Sequence, residues 1–196
     1  MLDEDRIQLL GRVARATSET TDAGDPDTAV SILSLAAASY GARPADEATV
    51  PTGFDPLAVA LFEAIVEGAY LVAAADGVVD EEERRAFERV VTTACGGAVT
   101  QKAISALVSD LGDQLAEDGL QRRVEAVATQ VHKKEHAREV LRIAALLAQA
   151  SDKVSDVERS VLSKLAAACG LEPSEVDSAI AEVARVLAQS PRGTSG

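Results

Sequence analysis

The stretch Ala75-Asp76-Gly77-Val78-Val79-Asp80-Glu81-Glu82-Glu83 places five carboxylates within eight residues, directly after an alanine-rich apolar run. It has an echo further along. AAADGVVDEEERRAFERVVTTACGG (73–97) is answered by AQASDKVSDVERSVLSKLAAACGL (148–171). Asp76 aligns with Asp152, Val78 with Val154, Asp80 with Asp156 and Glu82 with Glu158; Cys95-Gly96 then matches Cys169-Gly170 after a two-residue gap. Each copy reads as an apolar helix, a tight acidic turn and a second, amphipathic helix ending at glycine. Two such hairpins can pack face to face, with the helices between them completing a bundle.

The residue types have local physical reasons. Gly77 permits positive φ in the tight turn, and Lys153 stands in that place in the second copy. Val78 and Val154 are suited to fold inward as plugs between the helices. Ser155 and Glu158 have capping-box spacing, and Asp80 with Glu83 offers a similar arrangement. Acids in a first helical turn also suit the helix dipole, and Asp156 falls in such a turn. Capping thus accounts for most of these carboxylates without a ligand.

It does not account for Asp76 and Asp152. Both stand at the C-terminal ends of apolar helices, where the dipole disfavours an anion. With Glu82 and Glu158 six residues later, each turn presents an Asp/Glu pair. Hard cations take several oxygen ligands, so Asp76, Glu82, Asp152 and Glu158 could together hold calcium, magnesium or manganese if the turns meet. The spacing is not that of an EF-hand. Capping and cation binding both stay open at this point.

The bulk properties set the frame. The chain has 196 residues, 47% hydrophobic but only 3% aromatic, with a net charge of −13. Ala, Val and Leu dominate the apolar content, which suits closely packed helices more than a β-sandwich. The negative charge repels phosphate backbones, which argues against a nucleic-acid partner and favours cations or basic protein surfaces. Cys95 and Cys169 read as small core residues in a reducing cytoplasm. The N-terminus lacks a basic region followed by an apolar run, so no signal peptide is expected. The longest apolar stretch is interrupted by Glu63 and Glu67, which argues against a membrane span. Those two glutamates read as the wet edge of a helix or as an acidic groove.

Apolar periodicity predicts helices over about 3–17 and 28–40, then 56–75, 80–95, 101–116, 119–131, 135–151, 156–169 and 174–189. No convincing period-two strand is present. The Pro/Gly-rich stretch 41–56 marks the best boundary. The expected organisation is all-α: an N-terminal helical extension and linker over 1–53, a bundle of about seven helices with the duplicated hairpin over 54–190, and a disordered tail over 191–196.

The paired ADGVVDEEE and SDKVSDVER turns, each set between alanine-rich helices and ending near Cys-Gly, resemble the TerB-like family of tellurite-resistance and stress-response proteins. The resemblance covers roughly residues 55–190. It implies an all-α domain with internal pseudo-symmetry, cation binding, and work in cytoplasmic or membrane-surface assemblies. The positions that match the family motif are Asp76, Gly77 and Glu82, then Asp152 and Glu158. Lys153 departs from it, standing where the motif prefers glycine, and its ammonium could replace the metal by pairing with Asp152.

One enzyme motif competes. His132-Lys133-Lys134-Glu135-His136 matches H-x-x-E-H, in which His132 and His136 would hold zinc and Glu135 would activate water. The apolar stripe through Leu120, Val124, Val127 and Val131 does not continue across this stretch, and a new one begins out of phase at Val140. The slip predicts a turn inside the motif that separates the two histidines. Three readings follow: a non-enzymatic module binding a divalent cation or a protein partner through its acidic turns, a scaffolding helical domain, and a zinc hydrolase.

Overall fold

The structure, a computed structural model, describes residues 3–16, 31–42, 55–77, 79–149 and 153–189. The expected tail (191–196) and most of the expected boundary loop lie outside these residues. Nine helices and no strand are present among them: α1 (Glu4–Arg15), α2 (Ile32–Gly41), α3 (Pro56–Ala73), α4 (Glu81–Ala94), α5 (Gln101–Asp118), α6 (Leu120–Gln130), α7 (Lys134–Ala148), α8 (Asp156–Ala168) and α9 (Ser174–Gln189). The fold class is all-α.

Helix starts follow side-chain chemistry. Asp3, Ser31, Asp55, Asp80, Thr100 and Ser155 each sit at an N-cap in extended conformation, and each side chain accepts a hydrogen bond from a backbone N–H in the first turn. Such caps satisfy donors that a helix end leaves open, and each contributes about 0.5–2 kcal/mol. Pro56 follows Asp55 at the first turn of α3, where its missing N–H costs nothing.

The core is built around α3 and α7, which form the most extensive helix pair. Gly68 lets them approach: a Cβ at that position would lie 2.7 Å from Val140 Cγ1. Phe62, Ile65, Leu71, Leu141 and Leu146 are almost fully buried along this pair. Each such side chain contributes about 1.5–3 kcal/mol of apolar burial. α5 packs on α4, α6 on α3 and α8, and α9 on α7.

The two N-terminal helices belong to the same core. Ile7, Leu10, Leu33 and Ala37 are each at most 2% exposed. α1 packs on α4, and α2 packs on α3, where the Tyr40 ring lies 4.7 Å from that of Phe62. Ala14 and Leu33 join Ile65, Val90 and Leu146 around an apolar void of about 20 Å³ at the centre. Among the described residues the bundle therefore has nine helices where about seven were expected, because α1 and α2, expected as an N-terminal helical extension, insert apolar faces into it.

The repeat is visible as two hairpins, α3–α4 and α7–α8. α4 and α8 both begin with a capping box, and both end at a C-cap cysteine followed by a glycine with positive φ: Gly96 at +58° and Gly170 at +69°. Their register differs from the sequence alignment by one residue. The cap of α3 is Ala74 and that of α7 is Gln149, while the N-caps are Asp80 and Ser155. Both connections thus have five residues between caps. Asp80 corresponds to Ser155, not Asp156, and Glu83, not Glu82, corresponds to Glu158. Val79 and Val154 both pack on the core from these turns and hold the same place counted from the caps, so Val79 is the partner of Val154; Val78 lies outside the described residues.

α3 is the one helix among the described residues long and apolar enough to cross a membrane by length and composition, and most of it is buried in the bundle. The central helix of a globular core has the same properties.

Candidate functional site

The acidic turn between α3 and α4 is built by an apolar helix that must stop and an amphipathic one that must start. Gly77 takes φ +149°, a region that L side chains rarely adopt, and is exposed together with Asp76. Asp80 then caps α4. Its Oδ1 accepts from the N–H of Glu82 and of Glu83, each at 2.8 Å, and the Asp80 N–H donates to Glu83 Oε2 at 2.9 Å.

Glu81 is held by two arginines. Arg84 Nη2 lies 2.8 Å from Glu81 Oε2, and Arg85 Nη2 lies 2.9 Å from Oε1. The Arg84 hydrogen bond, with the charges of both arginines, keeps the Glu81 carboxyl below its ordinary pKa. Arg84 also reaches the buried Glu88, Nη1 to Oε1 at 3.3 Å. The other oxygen of Glu88 accepts from Ser105 Oγ at 2.6 Å and Gln101 Nε2 at 3.3 Å.

These interactions divide the five carboxylates. Asp80 and Glu83 are engaged in the capping box, and Glu81 in ion pairs. The Asp76 and Glu82 side chains have no hydrogen-bonding or ionic partner among the described residues. Both are exposed.

The second turn differs. The Ser155 N–H donates to Glu158 Oε2 at 2.7 Å, and Ser155 Oγ accepts from the Glu158 N–H at 3.2 Å. Glu158 is therefore engaged by its cap, as Glu83 is in the first turn, and is not a free counterpart of Glu82. Asp156 is exposed in the first turn of α8. Asp152 lies outside the described residues. Counted from the caps, Lys153 falls one residue beyond the position of Gly77, so Lys153 does not fill the glycine position. Among the described residues, no group of three or more His, Cys, Asp or Glu side chains is arranged to hold a metal ion.

The H-x-x-E-H stretch is divided by a helix break. α6 ends at Gln130 and α7 begins at Lys134, so His132 stands in the connection while Glu135 and His136 lie on α7. His132 and Glu135 are exposed and His136 is half-buried. Burial, with the nearby charge of Lys133, lowers the His136 pKa from its ordinary 6.5 against the opposing pull of Glu135. A helical zinc site needs both histidines on one helical face, and this geometry does not supply it.

Sequence reading missed the buried charges. Glu67, read as a wet edge or groove, is only 7% exposed; its Oε1 lies 2.6 Å from Arg123 Nε, and Arg123 also reaches Asp118 at 3.1 Å. Glu63 is half-buried. Arg142 and Glu139 are buried together on α7, with Nε–Oε2 at 2.8 Å and Nη2–Oε1 at 2.9 Å. Their i, i+3 spacing inside an apolar stripe is the signal that could have found them. Cys95 is buried, and desolvation pushes its thiol up to about 12; burial also raises that of half-buried Cys169. Both fit the core role read from the sequence.

The chain was compared with known proteins. Neither the curated proteins nor the solved structures gave a significant match. The family described as "Tellurite resistance protein TerB" matches residues 62–181, which run from within α3 into α9 and contain both acidic turns, the second hairpin and all of the first but the start of α3. With well over half of its length matched, both acidic turns included, the chain belongs to the TerB family.

Proposed function

We propose that the chain is a non-enzymatic, cytoplasmic TerB module of the tellurite-resistance and stress-response type, whose α3–α4 turn accepts a divalent cation. Asp76 and Glu82 are the ligands in this reading. The observation that supports it is their selective freedom: every other carboxylate of the turn has a capping or ionic role, and these two have none among the described residues. Asp76 also lies where the dipole of α3 disfavours an anion, so a cation offsets an unfavourable charge.

Two carboxylates suit a magnesium-like ion, which keeps several waters and takes one or two protein carboxylates. Calcium needs six to eight oxygens and would require more donors than these.

Calorimetric titration of the full chain with magnesium, manganese and calcium tests the reading. Wild type is expected to give a saturable heat, and Asp76→Asn at least a tenfold weaker one. Flat titrations with all three ions, together with an unchanged melting temperature, would sink it.

A second reading is a scaffolding domain whose acidic turn meets a basic protein surface. What supports it is that no group of three or more His, Cys, Asp or Glu side chains among the described residues is arranged to hold a metal ion. In that case the ion titrations are flat, and Asp76→Asn weakens a salt-sensitive association with a basic partner.

A further inference from the structure

Glu88 of α4 is 6% exposed, and its Oε1 is the one buried side-chain oxygen or nitrogen among the described residues that takes part in no hydrogen bond. A buried carboxylate oxygen held in this way is costly, and native structures contain few of them. The other oxygen is well served. Oε2 accepts from Ser105 Oγ at 2.6 Å and from Gln101 Nε2 at 3.3 Å, both on α5. Glu88 is thus anchored to α5 through one oxygen, while the second faces Arg84, one turn earlier on α4.

Arg84 comes within ion-pair distance there, with Nη1 at 3.3 Å from Oε1. Its hydrogen bonds run the other way: Nε and Nη2 donate to Glu81 Oε2 at 3.1 Å and 2.8 Å. One guanidinium therefore stands between an exposed carboxylate in the acidic turn and a buried one at the α4–α5 contact. Glu81 and Glu88 lie at i−3 and i+4 from Arg84, so both are in reach from one backbone position. A fork from Nη1 and Nη2 to Glu88 would satisfy Oε1, but it would take Nη2 from Glu81. Glu81 would then keep Arg85, whose Nη2 is 2.9 Å from Oε1.

We infer that Arg84 is a two-position relay, resting on Glu81 while the turn carries its full negative charge and moving to Glu88 when that charge is neutralised. The move exchanges a solvent-screened pair for a donor to a buried acceptor, so a modest change at the turn tips it. A divalent cation held by Asp76 and Glu82 supplies that change, because it attracts the adjacent Glu81 carboxylate and repels the guanidinium. It then favours one arrangement over the other, as a ligand must in order to shift an equilibrium. The effect emerges on α5, where Gln101 and Ser105 hold Glu88. The relay itself rests on the contacts of Arg84; its control by a cation rests on the cation reading of the turn.

NMR of the full chain and double-mutant cycles in urea test it. Glu81→Gln neutralises one end of the relay without any ion. It is expected to shift the Gln101 side-chain amide signal, and to leave that signal in place when made in an Arg84→Gln chain. It should also raise the coupling between Arg84→Gln and Glu88→Gln by about fivefold or more in the unfolding equilibrium constant. The relay is overturned if the Gln101 signal does not move, or if the coupling keeps its wild-type value. The NMR arm needs no change at buried Glu88, so it decides the matter if that variant does not fold. Saturating magnesium on the wild-type chain should reproduce the Gln101 shift. Magnesium bound by calorimetry with no shift would overturn control by the cation. A flat calorimetric titration would sink the cation reading alone, and the Glu81→Gln arm would then decide the relay.

Discussion

Glu67 of α3 and Arg142 of α7 occupy the same position in the two repeats, counted from the caps of their helices, and both are buried. Their partners differ. Glu67 is met by Arg123 from α6, while Arg142 takes Glu139 from its own helix and the end of α1. Removing one member of a buried pair leaves an uncompensated charge, at about 3–5 kcal/mol. Glu139→Ala is expected to cost that much in urea unfolding. Glu67→Ala should cost less, because Arg123 keeps Asp118 and is itself more exposed. A larger loss from Glu67→Ala would contradict this ranking.

Gly68 sets the approach of α3 to α7. Gly→Ala within a helix ordinarily gains about 1 kcal/mol in propensity. Here the new methyl would meet Val140 Cγ1 at 2.7 Å. Gly68→Ala is therefore expected to destabilise the bundle, by about 1–3 kcal/mol as overpacking does. Adding Val140→Ala should recover part of the Gly68→Ala loss in a double-mutant cycle. Simple additivity of the two changes would show that the contact is not limiting.

The turn acids separate by role. Asp80→Ala and Ser155→Ala should each cost about 0.5–2 kcal/mol, the range for N-caps. Glu83→Ala should also destabilise, whereas Glu82→Ala should leave the urea midpoint nearly unchanged and weaken cation binding instead. Equal stability effects at 82 and 83 would contradict the capping register described above.

His136 introduces a pH dependence. Its folded pKa lies below the ordinary 6.5, so the unfolded chain binds the proton more readily. Its contribution to stability is therefore complete above about pH 6.5 and declines as the pH falls toward its folded pKa. His136→Gln should flatten that part of a melting-temperature profile; an unchanged profile would show that burial of this ring does not couple its proton to folding.

Much of the fold is legible from residues because its causes are local. Eight of the nine helices begin within about two residues of where apolar periodicity and capping residues place them; α2 begins later, at Ile32, after its Ser31 cap. The break between α6 and α7 is visible as a phase slip. The candidate site is legible in part. The cluster of acids is evident, but which of them remain free depends on where the helices start. The boxes Asp80–Glu83 and Ser155–Glu158 are legible from spacing, but the alignment of Glu82 with Glu158 is off by one residue, and periodicity places helix boundaries only to within a residue or two.

The all-α class, the doubled hairpin and the acidity of its turns are legible along the chain, since they follow from side-chain spacing and backbone capping within a few residues. Packing between distant segments places α1 and α2 in the core and puts Glu67 and Arg142 inside it. Those outcomes depend on which helix faces meet across long separations in the chain. Periodicity along one helix does not specify its neighbour.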